Sequence, residues 1–233
     1  MNPVLGVDRL RFAWPGHAAP VLDIETLLVS AGEAVFLHGP SGCGKSTLLS
    51  LMAGVLVADT GQVNLLGQDW ATLSRRQRDR TRVAHVGYIF QQFNLLPYLS
   101  VMDNVLLPCR FSPRRALRAD GTPRSQAEQL LQRMGLDKAL WQRPALQLSV
   151  GQQQRVAAAR ALIGHPELVI ADEPTSALDE DRREAFLDTL MRACEANHSA
   201  LVFVSHDRRI AERFDRHVWL PDINRAAVAG ASQ

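Results

Sequence analysis

What the chain lacks narrows it first. No run approaches the ~18 consecutive apolar residues of a membrane-spanning helix, so any membrane role is expected to be peripheral, through a partner. The start, Met1-Asn2-Pro3-Val4-Leu5-Gly6-Val7-Asp8, has neither a basic segment nor a long apolar stretch, and it does not read as a secretory signal. The three cysteines, Cys43, Cys109 and Cys194, are odd in number and fit no metal spacing, which points to reduced thiols in a cytosolic protein. Net charge is nearly absent: 26 basic against 24 acidic side chains leave +2, no reason to invoke nucleic acid. Arginines do cluster, at Arg75, Arg76, Arg78, Arg80 and Arg82 and again at Arg114, Arg115 and Arg118. The first cluster is interleaved with polar residues and reads as a solvated helix face. Repeats and low-complexity tracts are absent. What remains, 46% hydrophobic and 21% charged over 233 residues, is a soluble globular chain of one domain, or one domain plus a subdomain.

The informative stretch is Gly39-Pro40-Ser41-Gly42-Cys43-Gly44-Lys45-Ser46-Thr47, which fits the phosphate-loop pattern G-x-x-x-x-G-K-[ST]. Ala34–His38 ahead of it reads as a buried strand, and Ser46–Ala53 behind it as a helix stopped by Gly54. Glycines let the backbone curl with its N–H groups inward, and the helix start adds unpaired donors and a positive dipole end. Lys45 is then expected on the β- and γ-phosphates and the Ser46 hydroxyl on Mg²⁺. Cys43 is open to alkylation without being catalytic.

Strands are expected at Leu5–Phe12, Val21–Val29, Gly61–Gly67 and His85–Phe90, with an exposed helix over Ser74–Arg82 between the last two. From about Phe93 to Leu146 no strand is legible. An apolar, proline-broken patch (Leu95 to Pro108) leads into a polar, loop-like Arg110–Pro123, then an amphipathic helix over Gln126–Met134. The core resumes with a helix to Ile163, a fully apolar strand Leu168–Asp172, a helix Asp181–Cys194 and a buried strand Ala200–Val204. A helix Arg208–Phe214 and a strand His217–Leu220 follow, and residues from Ala226 on look frayed. Alternating strands and helices make an α/β core with a largely parallel sheet. Its ligands belong at the carboxyl ends of the strands, where the phosphate loop, Gln91, Asp172 and His206 all fall.

Asp172, at the tip of an apolar strand, is suited to hold the hydration shell of Mg²⁺ beside Ser46, and Glu173, one step out, to orient or deprotonate a water. Ser149-Val150-Gly151-Gln152 precedes a helix and is either a plain N-cap or an anion site. Trp14 is either a base-stacking face or core.

In order along nearly the whole chain, Gly39–Thr47, Gln91, Leu148–Gln152, Leu168–Glu173, Ser176-Ala177-Leu178-Asp179 and His206 resemble the motifs of ABC transporter nucleotide-binding subunits. The resemblance implies an ABC-type phosphate-loop core with a mainly parallel sheet, an antiparallel β edge subdomain and a helical subdomain near 93–163, all within one domain spanning 1–233. It implies ATP and Mg²⁺ as cofactors. It makes Gln91 a Mg²⁺ ligand that reports to a membrane partner, Glu173 the catalytic base and His206 the switch histidine near the γ-phosphate. Ser149, Gly151 and Gln152 become the signature that meets the ATP of the other subunit, Asp179 an acid at the dimer interface, and Trp14 the adenine-stacking aromatic. One departure stands out: Val150 occupies a position where the family usually has glycine.

The segments Arg82–Pro97 and Asp103–Pro108 resemble the lipoprotein-releasing and macrolide-exporter branch. That implies a homodimer working with a permease that carries a periplasmic domain on a separate chain, with a periplasmic adaptor as a further partner. Its place would be the inner face of the bacterial inner membrane. The chain would also lack the C-terminal regulatory domain of many importer subunits. The cell-division ATPase that acts on peptidoglycan hydrolases is the close alternative. Non-transport ABC ATPases and small phosphate-loop kinases are the remote ones. The apolar patch Phe93–Pro108, just after Gln91, is expected either to dock the partner or to form subdomain core.

Overall fold

A computed structural model describes residues 3–17, 19–175 and 178–226, in nine strands and eight α-helices among the described residues. Strands β1 (Leu5–Phe12), β2 (Leu22–Val29), β4 (Thr60–Leu65) and β5 (Gln68–Asp69) form an antiparallel sheet in the order β2-β1-β4-β5. Strands β3 (Ala34–His38), β6 (Val86–Ile89), β7 (Leu168–Asp172), β8 (Ala200–Val204) and β9 (Arg216–Trp219) form a second sheet, ordered β6-β7-β8-β3-β9. Every pairing in the second sheet is parallel. The expected edge subdomain and parallel core are both present.

Side-chain alternation divides the interior. Val35 and Leu37 of β3, Leu168 and Ile170 of β7, and Val202 of β8 pack with α1 (Lys45–Met52) and the antiparallel sheet. Phe36, Val169, Ala171, Leu201 and Phe203 face the other way. There they meet α3 (Val101–Phe111), α5 (Pro123–Arg133), α6 (Val150–Leu162) and α7 (Glu180–Ala196). A parallel sheet covered on both faces needs near-continuous apolar strands, and β8 and, up to its terminal Asp172, β7 are such strands.

Two elements differ from expectation. The exposed helix α2 runs Arg75–His85, three residues further than the sequence suggests, because a Ser74–Gln77 capping box starts it and the sheet takes over only at Val86. The stretch Arg110–Pro123 is not a loop. Helix α3 continues through Pro108 to Phe111, and a short α4 follows at Pro113–Arg118. Ser112-Pro113 and Thr122-Pro123 each supply a capping hydroxyl and a proline at the first helical position, a start signal that outweighs the polar composition. What fixes α4 is Arg115, almost fully buried, whose guanidinium donates to the carbonyls of Val83, Val86, Ala161 and Ile163. That one side chain ties α4 to the ends of α2, β6 and α6. The expected helix Arg208–Phe214 is a 3-10 helix over Arg208–Arg213, and a four-residue helix α8 (Leu220–Ile223) closes the described chain. The frayed end expected from Ala226 on falls, beyond Ala226 itself, outside the described residues.

Candidate nucleotide site

The parallel sheet delivers the chemistry to one edge. Because β3, β6, β7 and β8 run the same way, their carboxyl ends present the phosphate loop, Gln91, Asp172-Glu173 and His206 side by side.

In the phosphate loop, Gly42 and Gly44 have φ of +80° and +99°. A Cβ on Gly44 would also sit 2.8 Å from Leu22 Cδ2. Around Gly42 a Cβ would meet nothing within 4 Å, so that glycine serves backbone conformation and open space over the loop. Helix α1 begins directly after Gly44 with no side-chain cap, leaving its first N–H groups for an anion. Lys45 is buried, and its Nζ donates to the carbonyls of Gly39 (2.9 Å) and Pro40 (3.0 Å), within the loop itself. The donor set therefore fits a polyphosphate. Asn224, which the sequence did not single out, braces the loop from behind. Its Oδ1 accepts from Asp23 N (2.8 Å), and its Nδ2 donates to Val21 O (3.0 Å) and Cys43 O (3.4 Å). Being 1% exposed and 181 residues from Cys43, it carries no local signal.

Asp172 ends β7. Burial first, and then the charge of Glu173, raise its carboxyl above the usual range, while Lys45 pulls the other way. A divalent cation would resolve that conflict. Among the described residues no three His, Cys, Asp or Glu side chains gather to hold a metal. One carboxylate at the end of β7 and an exposed Ser46 hydroxyl at the start of α1 fit Mg²⁺ held largely by phosphate and water.

Glu173 has φ +47°, uncommon for a side chain with a Cβ, and its N–H donates to Val204 O at 3.0 Å. That bend aims its carboxylate toward β8, where His206 Nε2 lies 2.7 Å from Oε1. The two expected catalytic residues thus meet directly, in a cavity of about 390 Å³ that also has Thr175, Leu178, Arg183 and Ser205 in its wall. Asp207, next along, is locked by Arg209 (2.8 Å) and by Arg183 of α7. Hydrogen bonding from Arg209, then its charge and that of Arg183, hold its carboxyl down at about 2 against the opposing effect of burial. Arg183 is a positioning group that the sequence did not reveal.

Gln91 sits exposed in the turn after β6. Phe93 and Asn94 follow with φ of +59° and +47°. Arg160 of α6 clamps this turn: its guanidinium donates to Asn94 O at 2.7 Å and Phe93 O at 2.5 Å. Burial lowers the Arg160 pKa to about 10, still charged at neutral pH. The buried amide of Asn104 holds the next stretch, with Oδ1 accepting from Leu96 N (2.8 Å) and Nδ2 donating to Leu96 O (3.0 Å). Much of the Phe93–Pro108 patch is subdomain core, since Phe93, Val101, Met102 and Val105 are buried. What stays outside is Tyr98, 74% exposed, and a groove of about 220 Å³ walled by Tyr88, Phe90, Leu107, Pro108 and Phe111.

Ser149 and Gly151 lie elsewhere. Ser149 is the N-cap of α6 in a capping box: its Oγ accepts from Gln152 N, and Gln152 Oε1 accepts from Ser149 N at 2.9 Å. Gly151, Gln152 and Ser149 line a separate cavity of about 450 Å³ with Leu178, Arg155 and Arg182. Among the described residues nothing hydrogen-bonds them to the phosphate loop, Asp172 or Glu173. Leu178 alone borders both cavities. Val150, the departure from the glycine pattern, is exposed and points away from the fold. Asp179 caps α7, accepting from Arg182 N at 2.9 Å. Ser176 and Ala177, which complete that motif, lie outside the described residues. Trp14 is 42% exposed, with its ring edge-on to Phe12 at 5.3 Å, an available face rather than core.

Comparison with known proteins matches residues 22–176 to the family described as ABC transporter. An uncharacterized ABC transporter ATP-binding protein, YbbA, of Escherichia coli is 40% identical over 86% of each chain. The lipoprotein-releasing system ATP-binding protein LolD 2 of Caulobacter vibrioides is 40% identical over 95% of this chain and 96% of its own. The macrolide export ATP-binding/permease protein MacB of Photorhabdus laumondii is 36% identical over 95% of this chain, which spans 34% of that longer protein. Among solved structures, the ATP-binding cassette MJ0796, a dimer bound to ADP and Pi in a post-hydrolysis state, superposes with a TM-score of 0.84 at 31% identity, covering 96% of this chain and 95% of that one.

Proposed function

From the premise that the chain belongs to the ABC transporter family and is an ATP-hydrolysing subunit of it, we propose that it works as a homodimer with two shared ATP sites. The dimer would drive a separate membrane permease of the lipoprotein-releasing or macrolide-export kind. The carrying observation is the division of the site within one chain. Lys45, Asp172, Glu173 and His206 converge on the sheet edge, while Ser149 and Gly151 stand apart at the start of α6, lining another cavity. A half-site of each kind is complete only when two copies meet head to tail. The dimeric relative bound to ADP and Pi supports the same reading.

In that assembly each residue has a task. The loop N–H groups, the start of α1 and Lys45 bind the β- and γ-phosphates; Ser46, Gln91 and Asp172 would hold Mg²⁺, which would supply charge neutralisation for the phosphoryl group. Trp14 stacks on adenine. Glu173 takes a proton from the attacking water, and His206, 2.7 Å from it, holds the carboxylate in place and reaches the γ-phosphate. Gln152 keeps Ser149 oriented, and Asp179 fixes the start of α7 at the interface. The permease docks in the groove of Phe90, Leu107 and Phe111 beside Gln91, on the cytoplasmic side of the membrane.

A Glu173→Gln variant with saturating Mg-ATP tests this. An ATP-bound dimer is expected to accumulate in size-exclusion chromatography. A variant that stays monomeric, with a wild type that transfers phosphate to an acceptor, would replace the transporter reading with a kinase. Alanine at Leu107 and Phe111 probes the docking groove. Intact complex assembly and intact coupling of ATP hydrolysis would move the docking surface elsewhere.

A further inference from the structure

Helix α2 carries arginine where helix physics disfavours it. Its first turn holds Arg75 and Arg76 and no acid, against the positive end of the helix dipole. Arg76 and Arg80 form a like-charged pair four residues apart, a spacing that destabilises a helix. Nothing in α2 is buried. Arg78 and Arg82 turn back on the fold, donating to Leu73 O (2.7 Å) and Gly54 O (3.0 Å). Arg75, Arg76 and Arg80 are exposed, and among the described residues no carboxylate comes within ion-pair distance of them. Three charges are therefore displayed at a cost to the helix, with no return inside the chain.

Their direction is defined. Val83 of α2 lines the groove that contains Phe90, Leu107 and Phe111. With ~100° between successive residues, Arg76 lies about 20° and Arg80 about 60° around the helix from Val83. Arg75 lies about 80° the other way, so the three arginines fan out on either side of the groove direction. Apolar side chains on the neighbouring helices accompany them: Phe111 is 72% and Leu117 86% exposed.

We propose that this face binds the anionic headgroups of a phospholipid surface through Arg75, Arg76 and Arg80. Leu117 reaches the boundary below the headgroups, while Phe111 stays in the groove wall. The inference rests on the reading that the groove meets a membrane partner, which turns α2 toward the bilayer. Exposed guanidinium groups fanned over about 140° of the helix surface suit a diffuse array of phosphates better than a folded acidic protein. Arginine also pairs with phosphate in two-pronged fashion. Each arginine near an anionic surface favours binding about fivefold, so three together give roughly a hundredfold, falling steeply with salt.

The test is co-sedimentation of the purified full chain, without permease, with phosphatidylglycerol–phosphatidylcholine vesicles and with phosphatidylcholine vesicles. Binding to the first only, weakened by salt, is expected. The triple variant R75E/R76E/R80E should lose about a hundredfold or more in partitioning, keep ATP hydrolysis, and melt no lower than the wild type, since acids suit the start of α2. A control, R11E/R143E/R192E, changes net charge equally on other faces and should still bind. Equal loss in both variants, equal binding to both vesicles, or equal binding to duplex DNA would overturn the proposal. So would an α2 variant that binds vesicles normally and fails only to assemble with the permease. Failure of vesicle binding leaves ATP-driven dimerisation of Glu173→Gln untouched, so the two readings fail separately.

Discussion

Replacing Arg160 by methionine removes the clamp on the turn after Gln91 while keeping an apolar stem in α6. Two charge-assisted hydrogen bonds are lost, to Phe93 O and Asn94 O. Such bonds contribute roughly 1.5–3 kcal/mol each. Asn94 is exposed and regains water, whereas Phe93 is buried, so the combined loss is about 2–4 kcal/mol. Opposing it is the left-handed backbone of Phe93 and Asn94, which costs about 1–2 kcal/mol per residue. With the guanidinium in place the two terms nearly balance; without it the strain is unopposed and the turn is free to relax. Gln91, two residues before Phe93, then leaves the metal position proposed for it. The phosphate loop and Trp14 do not touch Arg160, so the variant should lose about tenfold or more in kcat, near 1.4 kcal/mol, with unchanged ATP affinity of the monomer. Arg160→Lys, which keeps the charge without the fork, should fall between. Steady-state hydrolysis, ATP titration and a thermal melt read these separately. A loss carried by the whole fold would instead lower the melting temperature by roughly 5–15 °C. Unchanged kcat, or kcat falling only together with ATP affinity and melting temperature, would refute the turn-clamp argument.

Other outcomes follow from the same geometry. Asp172→Asn removes a carboxylate whose ionisation burial disfavours, so the nucleotide-free protein should melt higher while ATP hydrolysis collapses; a lower melting temperature would contradict this. Glu167 is half buried, which alone would raise its pKa, but hydrogen bonds from His85 and Arg114 and the charges of His85 and Arg118 bring it from 4.5 to about 2. With the folded-state pKa depressed, this stabilisation is complete above about pH 4.5 and disappears as pH falls toward about 2. Glu167→Gln should accordingly flatten the acid limb of a pH–stability curve. Gly87→Ala would place a Cβ 2.2 Å from Ala161 O, forcing α6 off β6, and a loss of roughly 1–3 kcal/mol in urea unfolding is expected. Trp14→Ala should weaken ATP binding about tenfold, consistent with roughly 1–3 kcal/mol for stacking on a base, with no change in melting temperature because the ring is 42% exposed.

The sequence by itself determined everything that depends on residues close along the chain. A phosphate loop is nine consecutive residues whose glycines and lysine act locally. Helix starts such as Ser149 with Gln152 need three residues to be read. The apolar run of β7 before Asp172 and the wholly apolar β8 announce burial on both faces. The exception is Arg110–Pro123, where polar composition suggests a loop although Ser112-Pro113 and Thr122-Pro123 mark helix starts.

Tertiary structure alone decided which distant groups meet. The contact of Glu173 with His206 requires two parallel neighbouring strands and a left-handed residue between them and their loops. Arg160 closes on Phe93 and Asn94 across more than sixty residues, and Asn224 braces Cys43 across 181. Arg115 and Arg76 belong to similar basic clusters in the sequence, yet one is buried on four carbonyls and the other stands in solvent. The reason is physical: a side chain's chemistry is written in its type, but its partners, and so its charge, orientation and role, are set by the packing of segments that composition and spacing do not connect.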